Sequence, residues 1–178
     1  MRTASDSLTS QRLYLRRFTP QDFELLYRMN TDERVMRYAG GIKTREQTED
    51  LLNNRILRYY DEHPGLGVWA TCERETGSCI GMHLLNNIHG EKHIQVGYIL
   101  LPEAWNKGYA TEMARVVLRY GFSELNLPQI TAITDLANTN SQHVLLKALL
   151  HRNGERAFPH PAYAKTGAMA WFERDRED

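Results

Sequence analysis

The segment "EAWNKGYAT", residues 103–111, gathers residue types that can hold a phosphate. A glycine, Gly108, stands where a polar loop becomes a helical pattern, with Lys107 before it and the hydroxyl of Thr111 beyond it. The first turn of a helix leaves backbone N–H groups without intrahelical partners and carries the positive end of the dipole, so an anion is its natural guest. Gly108 can take a positive φ and lets backbone and ligand approach without a Cβ, and Ala110 keeps the next turn narrow. The pattern is not a Walker loop, because no Gly-Lys-[Ser/Thr] follows, and it lacks the first glycine of the dinucleotide fingerprint. Taken alone, such a glycine also serves simply to turn the chain. A second polar group, "LANTNSQHVLLK", brings Asn138 and Ser141 to another helix entrance, where either side chain can cap. Ser141 has a second role open to it, as a proton donor. Lys147 offers either a ligand contact or a solvated charge.

These groups need elements to carry them. "HIQVGYILL", 93–101, reads as a strand closed by Pro102. After Gly108, Ala110, Ala114, Val117 and Gly121 line one side of a helix, 108–125, with Glu112, Arg115 and Arg119 opposite. That wide apolar arc of small residues suits a helix lying close on a sheet. "QITAITD", 129–135, is a buried strand, so the three form a β-α-β unit with a right-handed crossover, and a ligand is expected beyond the carboxyl ends of its strands. Upstream, "RLYLRRF" alternates like a strand, Thr19-Pro20 opens a short helix through Phe23, Leu26 and Tyr27, and "DERVMRY" adds a turn or two. From Thr44, the stripe Leu51, Leu52, Ile56 and Tyr59 predicts a longer helix ending before Pro64. "LGVWATCER", "SCIGMHLLNNI" and strand 93–101 predict an antiparallel meander. Downstream come a capped helix over "NTNSQHVLLKALLHR", a turn at Asn153-Gly154, and late strands in "ERAF" and "AMAWFER". The reading is one α/β domain over 1–178.

Bulk properties exclude several classes. Lys+Arg and Asp+Glu are 22 each, so the balanced charge argues against direct nucleic-acid binding, which needs a basic face. No run approaches the roughly 20 apolar residues of a membrane span, and the N-terminus has no signal-peptide core. With two cysteines and no export signal, a cytoplasmic protein is expected, with Cys72 and Cys79 facing one another across a hairpin as inert thiols. None of the seven histidines has ligand spacing on a helix, so no metal is expected.

The loop resembles the acetyl-coenzyme A loop of the GNAT superfamily of N-acetyltransferases, [Arg/Gln]-x-x-Gly-x-[Gly/Ala]. The match falls on Trp105, Asn106, Lys107, Gly108, Tyr109 and Ala110, with Trp105 departing from the usual first residue. "W-x-K-G-Y-A-T-E" looks like the branch of ribosomal-protein N-terminal acetyltransferases, and the likeness runs from "RLYLRRFTPQDFELLYRMNTDERVMRY" through "GYILLPEAW" to "AMAWFER". It implies a mixed, mostly antiparallel sheet of about six or seven strands with a splayed parallel pair, flanked by about four helices. It also implies that pantetheine enters between strands 93–101 and 129–135 and bonds backbone groups of Ile99 and Leu100. Trp105 to Thr111 would then hold the cofactor, with Asn138 and Lys147 at family positions. Ser141 matches the proposed acid of the ribosomal-protein branch. Many relatives have a tyrosine one turn further on, where Leu145 stands, and a strand glutamate where Gln95 stands. Ala148-Leu149-Leu150 replaces the usual Leu-Gly-Phe, so the helix end is expected to differ.

The implied reaction is direct attack of an amine on the thioester of acetyl-coenzyme A in a ternary complex, without metal or acyl-enzyme. A protein or peptide N-terminal amine is the leading acceptor, since α-amines titrate near 7.7–8 and lysine near 10.4. Alternatives are a small-molecule amine (polyamine, amino acid, aminoglycoside) or a non-catalytic acyl-coenzyme A sensor, which loss of the family tyrosine and glutamate would favour. A monomer or homodimer is expected.

Overall fold

β1 (Leu13–Arg17), β2 (Gly67–Glu73), β3 (Cys79–Asn87), β4 (Ile94–Leu100), β5 (Gln129–Asp135), β6 (His151–Ala157) and β7 (Ala168–Asp175) share one sheet, in the spatial order β1-β2-β3-β4-β5-β7-β6. They belong to a computed structural model that describes residues 8–176. Every neighbouring pair is antiparallel except β4 and β5. The helices are α1 (Phe23–Thr31), α2 (Glu33–Met36), α3 (Arg45–Asp50), α4 (Arg58–Glu62), α5 (Tyr109–Ser123) and α6 (Thr139–Lys147). This is the mixed, mostly antiparallel sheet with one parallel pair that the sequence resemblance implies.

Alternation along the strands divides the core between the two faces of the sheet. Val96 and Leu100 of β4 join Ile130, Ala132, Ala170 and Phe172 under α5, whose Met113, Ala114 and Val117 are fully buried. The opposite face packs Leu26 and Met29 of α1, with Leu52 and Ile56, on Val68, Ala70 and Met82. At about 1.5–3 kcal/mol for each fully buried large apolar side chain, these two layers are what fix the strands. The close approach of α5 depends on Gly121, where a Cβ would stand 2.6 Å from Ile130 Cδ1.

Three local expectations are corrected. The helix opened by Thr44, a capping box with Gln47, continues through a π-helical stretch at Leu51–Leu57 before α4. Asn153-Gly154 is not a turn between helix and strand. It lies within β6 as a bulge between Arg152 and Glu155, because both flanks pair with β7. Cys72 and Cys79 do face one another across the β2–β3 hairpin, but joined as a disulfide, their Cα atoms 3.9 Å apart, so the premise of free thiols falls.

Candidate active site

The parallel pair touches at one point only, Gln95 opposite Thr131, where the Thr131 hydroxyl donates to the Ile94 carbonyl at 2.9 Å. Beyond it the strands diverge. Which backbone groups line the resulting cleft follows from the phase of the ladder with β3. The N–H of Leu101 donates to the Ile80 carbonyl, and Ile88 N–H donates to the His93 carbonyl. In an antiparallel ladder hydrogen-bonded positions alternate, so the odd residues of β4 bond β3 and the even residues face β5. Ile99 is therefore turned toward its partner Met82, and its backbone does not face the cleft as the sequence reading expected. Tyr98 and Leu100 do face it. The Leu100 carbonyl accepts the Trp105 indole N–H at 2.7 Å, which leaves the Leu100 N–H and both backbone groups of Tyr98 without a ladder partner on β5 among the described residues.

At the mouth of the cleft, Gly108 is left-handed (φ 78°, ψ 4°), as is Asn106 (φ 60°), and α5 begins at Tyr109. The turn therefore delivers its amides and the open N-terminus of a 15-residue helix to one point. A brace from the other end of the chain holds it. The Glu112 carboxylate accepts from the Ser10 hydroxyl at 2.8 Å, from the Arg12 backbone N–H at 3.0 Å and from Arg12 Nε at 2.7 Å, while Arg12 Nη2 donates to the Lys107 carbonyl at 3.0 Å. Burial works against the Glu112 charge, but these bonds outweigh it and hold the carboxyl below its usual range. Arg12 also lies 4.5 Å over the Tyr109 ring, whose hydroxyl donates to Glu73.

A shallow pocket of about 490 Å³ opens here, lined by Gly108, Thr111, Arg115 and Lys147 among others. Arg115 clasps the Lys147 carbonyl through Nε at 3.1 Å and Nη2 at 2.5 Å, tying α5 to the end of α6. Four expected cofactor residues thus border or adjoin one site: Gly108, Tyr109, Thr111 and Lys147. Trp105 instead ties its indole N–H to the β4 carbonyl of Leu100, with its ring partly exposed. Ala110 contributes through its carbonyl, which accepts from His83 Nε2 at 3.3 Å, the other ring nitrogen lying 2.7 Å from the Thr71 hydroxyl. His83 is fully buried, and burial pulls its pKa down to about 4, so it is a neutral strut under the first turn of α5. The sequence reading missed it, since a lone histidine in a strand carries no spacing signal.

On α6, Asn138 is the N-cap, its Oδ1 accepting from the Ser141 N–H at 3.2 Å. The Ser141 hydroxyl is therefore not the cap. It stands 3.0 Å from the Tyr98 hydroxyl, which also reaches the Ser141 carbonyl at 3.1 Å. Burial raises the Tyr98 phenol above its ordinary range, and the bond to Ser141 only partly offsets this. Leu145 is buried in the core. At the end of α6, Leu149 takes the left-handed position (φ 70°), with Leu150 N–H donating back to the Leu145 carbonyl, so the helix closes there without a glycine.

The sheet face away from α5 carries Gln95, bonded to Asn86 at 3.3 Å, together with Thr131, Ile133 and Trp171. Arg156 stacks 3.6 Å above Trp171. Hydrogen bonds from Trp171 Nε1 and Asn153 Nδ2 hold Glu173 below the usual carboxylate range, making it a weaker base. Asp135 accepts from the Ala137 N–H. His93 sits on the closed side of the β4–β5 contact with Nδ1 3.6 Å from Glu91.

Comparison with known proteins bears on the family and the fold. The family model for the acetyltransferase (GNAT) domain matches residues 12–149. The uncharacterised N-acetyltransferase YoaA of Bacillus subtilis is 32% identical over 151 residues, covering 83% of this chain and 84% of that protein. Spermidine N(1)-acetyltransferase of Escherichia coli K12 is 27% identical over 143 residues, covering 79% and 74%. A GNAT-family acetyltransferase from Bacillus anthracis superposes with a TM-score of 0.78 at 26% identity, covering 96% of this chain and 99% of that one.

Proposed function

From the premise that this chain belongs to the GNAT acetyltransferase family, and is therefore an acyltransferase, we propose that it carries acetyl from acetyl-coenzyme A to an N-terminal α-amine of a protein or peptide, by direct attack in a ternary complex. GNAT enzymes use acetyl-coenzyme A. In this reading the diphosphate lies against Asn106, Lys107, Gly108, Tyr109, Ala110 and Thr111, with Lys147 at the rim, and pantetheine pairs with Tyr98 and Leu100 in place of a strand. The acceptor approaches over Gln95 and Trp171, and Ser141 gives the departing sulfur a proton.

The observation that carries the choice of acceptor is the lack of a ready base among the described residues of that face. Gln95 cannot take a proton, and Asp135 and Glu173 are engaged in hydrogen bonds. Without a base, the neutral fraction of the amine decides. At pH 7 an α-amine is roughly 10–15% neutral and a lysine-like amine roughly 0.04%, a difference of a few hundred-fold. Arg156 over Trp171 also puts a cation on the face that the acceptor would cross in this reading, which disfavours a polycation. Kinship to a spermidine acetyltransferase supports a second reading, in which the acceptor is a polyamine.

An acceptor screen with acetyl-coenzyme A and intact-mass detection separates these. Peptides with a free N-terminus are expected to gain one acetyl, and N-terminally blocked lysine peptides and spermidine to react far more slowly. Turnover confined to spermidine would replace this acceptor with the second reading, and binding of acetyl-coenzyme A without turnover would leave a sensor.

A further inference from the structure

We infer that Tyr98 is a positioning residue for Ser141, the two hydroxyls forming a relay that delivers a proton to the leaving sulfur. The inference rests on the reading that the thioester of acetyl-coenzyme A lies in the β4–β5 cleft. Three observations carry it. The hydroxyls are 3.0 Å apart although 43 residues separate them in the chain, and the Tyr98 proton, which also has the Ser141 carbonyl as an acceptor at 3.1 Å, turns to Ser141 Oγ as that oxygen gives up its own. Asn138 supplies the cap of α6, so the Ser141 hydroxyl has no structural duty at the helix end. Tyr98 is also one of the cleft-facing residues of the strand at which β4 and β5 part, so its backbone and its phenol belong to one site.

The chemistry favours two hydroxyls over one. A serine that gives up its only proton becomes an alkoxide, a poor species to leave in a site with little water. A phenol is a stronger acid than an alcohol, and although burial weakens Tyr98 as an acid, it remains the better final donor of the two. Burial keeps Tyr98 protonated through the physiological range, so it acts as a donor and not as a base. His83, whose ring centre is 5.7 Å from that of Tyr98, is neutral and bonded at both nitrogens, and does not compete for the phenol.

The step balances. The amine nitrogen bonds to the acetyl carbon, and the carbonyl becomes an oxyanion. As that oxyanion collapses, the C–S bond breaks with its electron pair on sulfur. Sulfur takes the Ser141 proton while Ser141 takes that of Tyr98. The proton shed by the new amide nitrogen returns through solvent to Tyr98, so the products are amide and thiol, with nothing else consumed.

The first readout is the leaving group itself and needs no acceptor; turnover is then read with the acceptor that the screen identifies. Coenzyme A is bound to the wild-type protein, Tyr98→Phe, Ser141→Ala and the double variant, and its thiol is titrated by thiolate absorbance, with binding by calorimetry and folding by melting. In the wild type the bound thiol is expected to titrate below the roughly 8.5 of a free thiol, because the hydroxyl donates to the thiolate. Tyr98→Phe keeps the ring and removes only the hydroxyl. It should return the thiol toward the free value and, with a reactive acceptor, lower kcat about 10–100-fold, at or below the lower end of the effect of a full acid catalyst, with the dissociation constant within about 2-fold. The double variant should be no worse than the weaker single, as for residues that act as one unit. A purely structural Tyr98 would lower the melting temperature and weaken coenzyme A binding without moving the thiol titration. An unmoved titration in Tyr98→Phe while Ser141→Ala shifts it, or losses that multiply, would overturn the relay alone. Failure of the wild-type protein to bind coenzyme A would instead overturn the acetyl-transfer reading beneath it.

Discussion

Substituting Gly108 separates what the fold needs from what the ligand needs. Its φ of 78° is a conformation that L residues adopt at a cost of about 1–2 kcal/mol. Yet the space is open: a Cβ there would meet only Arg12 Nη2, at an ordinary 3.6 Å. The fold alone should therefore tolerate alanine. Its backbone strain is offset by the 0.4–1 kcal/mol or so gained when a glycine leaves the unfolded chain, for a net loss of about 1 kcal/mol. For a chain of this length that lowers the melting temperature by roughly 2–4 °C.

The ligand should suffer more. A methyl group at this turn stands between the amides of residues 108–110 and a docking diphosphate. Hydrogen bonds to a charged group contribute about 1.5–3 kcal/mol each, so losing two weakens binding by at least about 3 kcal/mol, near 150-fold. Calorimetry of Gly108→Ala and Gly108→Val against coenzyme A, with melts of the ligand-free proteins, measures both quantities. The expected pattern is a large rise in the dissociation constant, steeper for valine, beside a melting shift of a few degrees. Unchanged affinity in a folded Gly108→Val protein would refute the placement of the diphosphate. A collapse of the melting temperature would refute the argument that the space around Gly108 is free.

Leu149→Gly should act in the opposite direction on stability: the left-handed leucine is 54% exposed, so little packing is lost, and a gain of about 0.5–1 kcal/mol should raise the melting temperature by a few degrees, whereas a drop would refute the strain. His83 is neutral in the fold with a pKa of about 4 against 6.5 unfolded, so below pH 6.5 the unfolded chain binds the extra proton and stability falls toward pH 4. That slope amounts to about 3 kcal/mol, and urea midpoints of His83→Gln across this range should lack it. Glu112 titrates below its ordinary 4.5, so the stability it lends is present above that pH and lost as the pH falls through the lowered native value; the gap between wild type and Glu112→Gln in urea should close in acid.

What the sequence disclosed follows the range of the interaction. β5 was read to the residue, and the opening at Thr44 and the facing of Cys72 and Cys79 followed from local propensity, capping and turn chemistry. The phase of β4 did not follow, because it depends on which residues of β3 lie opposite, and a shift of one residue exchanges Ile99 for Tyr98 at the cleft. Asn153-Gly154 reads as a turn by type, and only the pairing of both flanks with β7 makes it a bulge.

The same limit governs the chemistry. Asn106, Lys107, Gly108 and Thr111 announce their site because a helix N-terminus is built from neighbours in sequence. The sequence leaves Ser141 between two roles, since a hydroxyl at a helix entrance has the same sequence whichever way it points. Two contacts remove the capping role and give the hydroxyl another neighbour: Asn138 takes the cap, and Tyr98 arrives from a strand 43 residues away. His83 under Ala110 and Arg12 at Glu112 join elements that are equally remote in the chain. The loop marks where we propose that a cofactor docks, but the side chains that orient the loop and meet Ser141 come from across the sheet. Function in this fold is thus legible as a class from one segment, and as a mechanism only from the packing between segments.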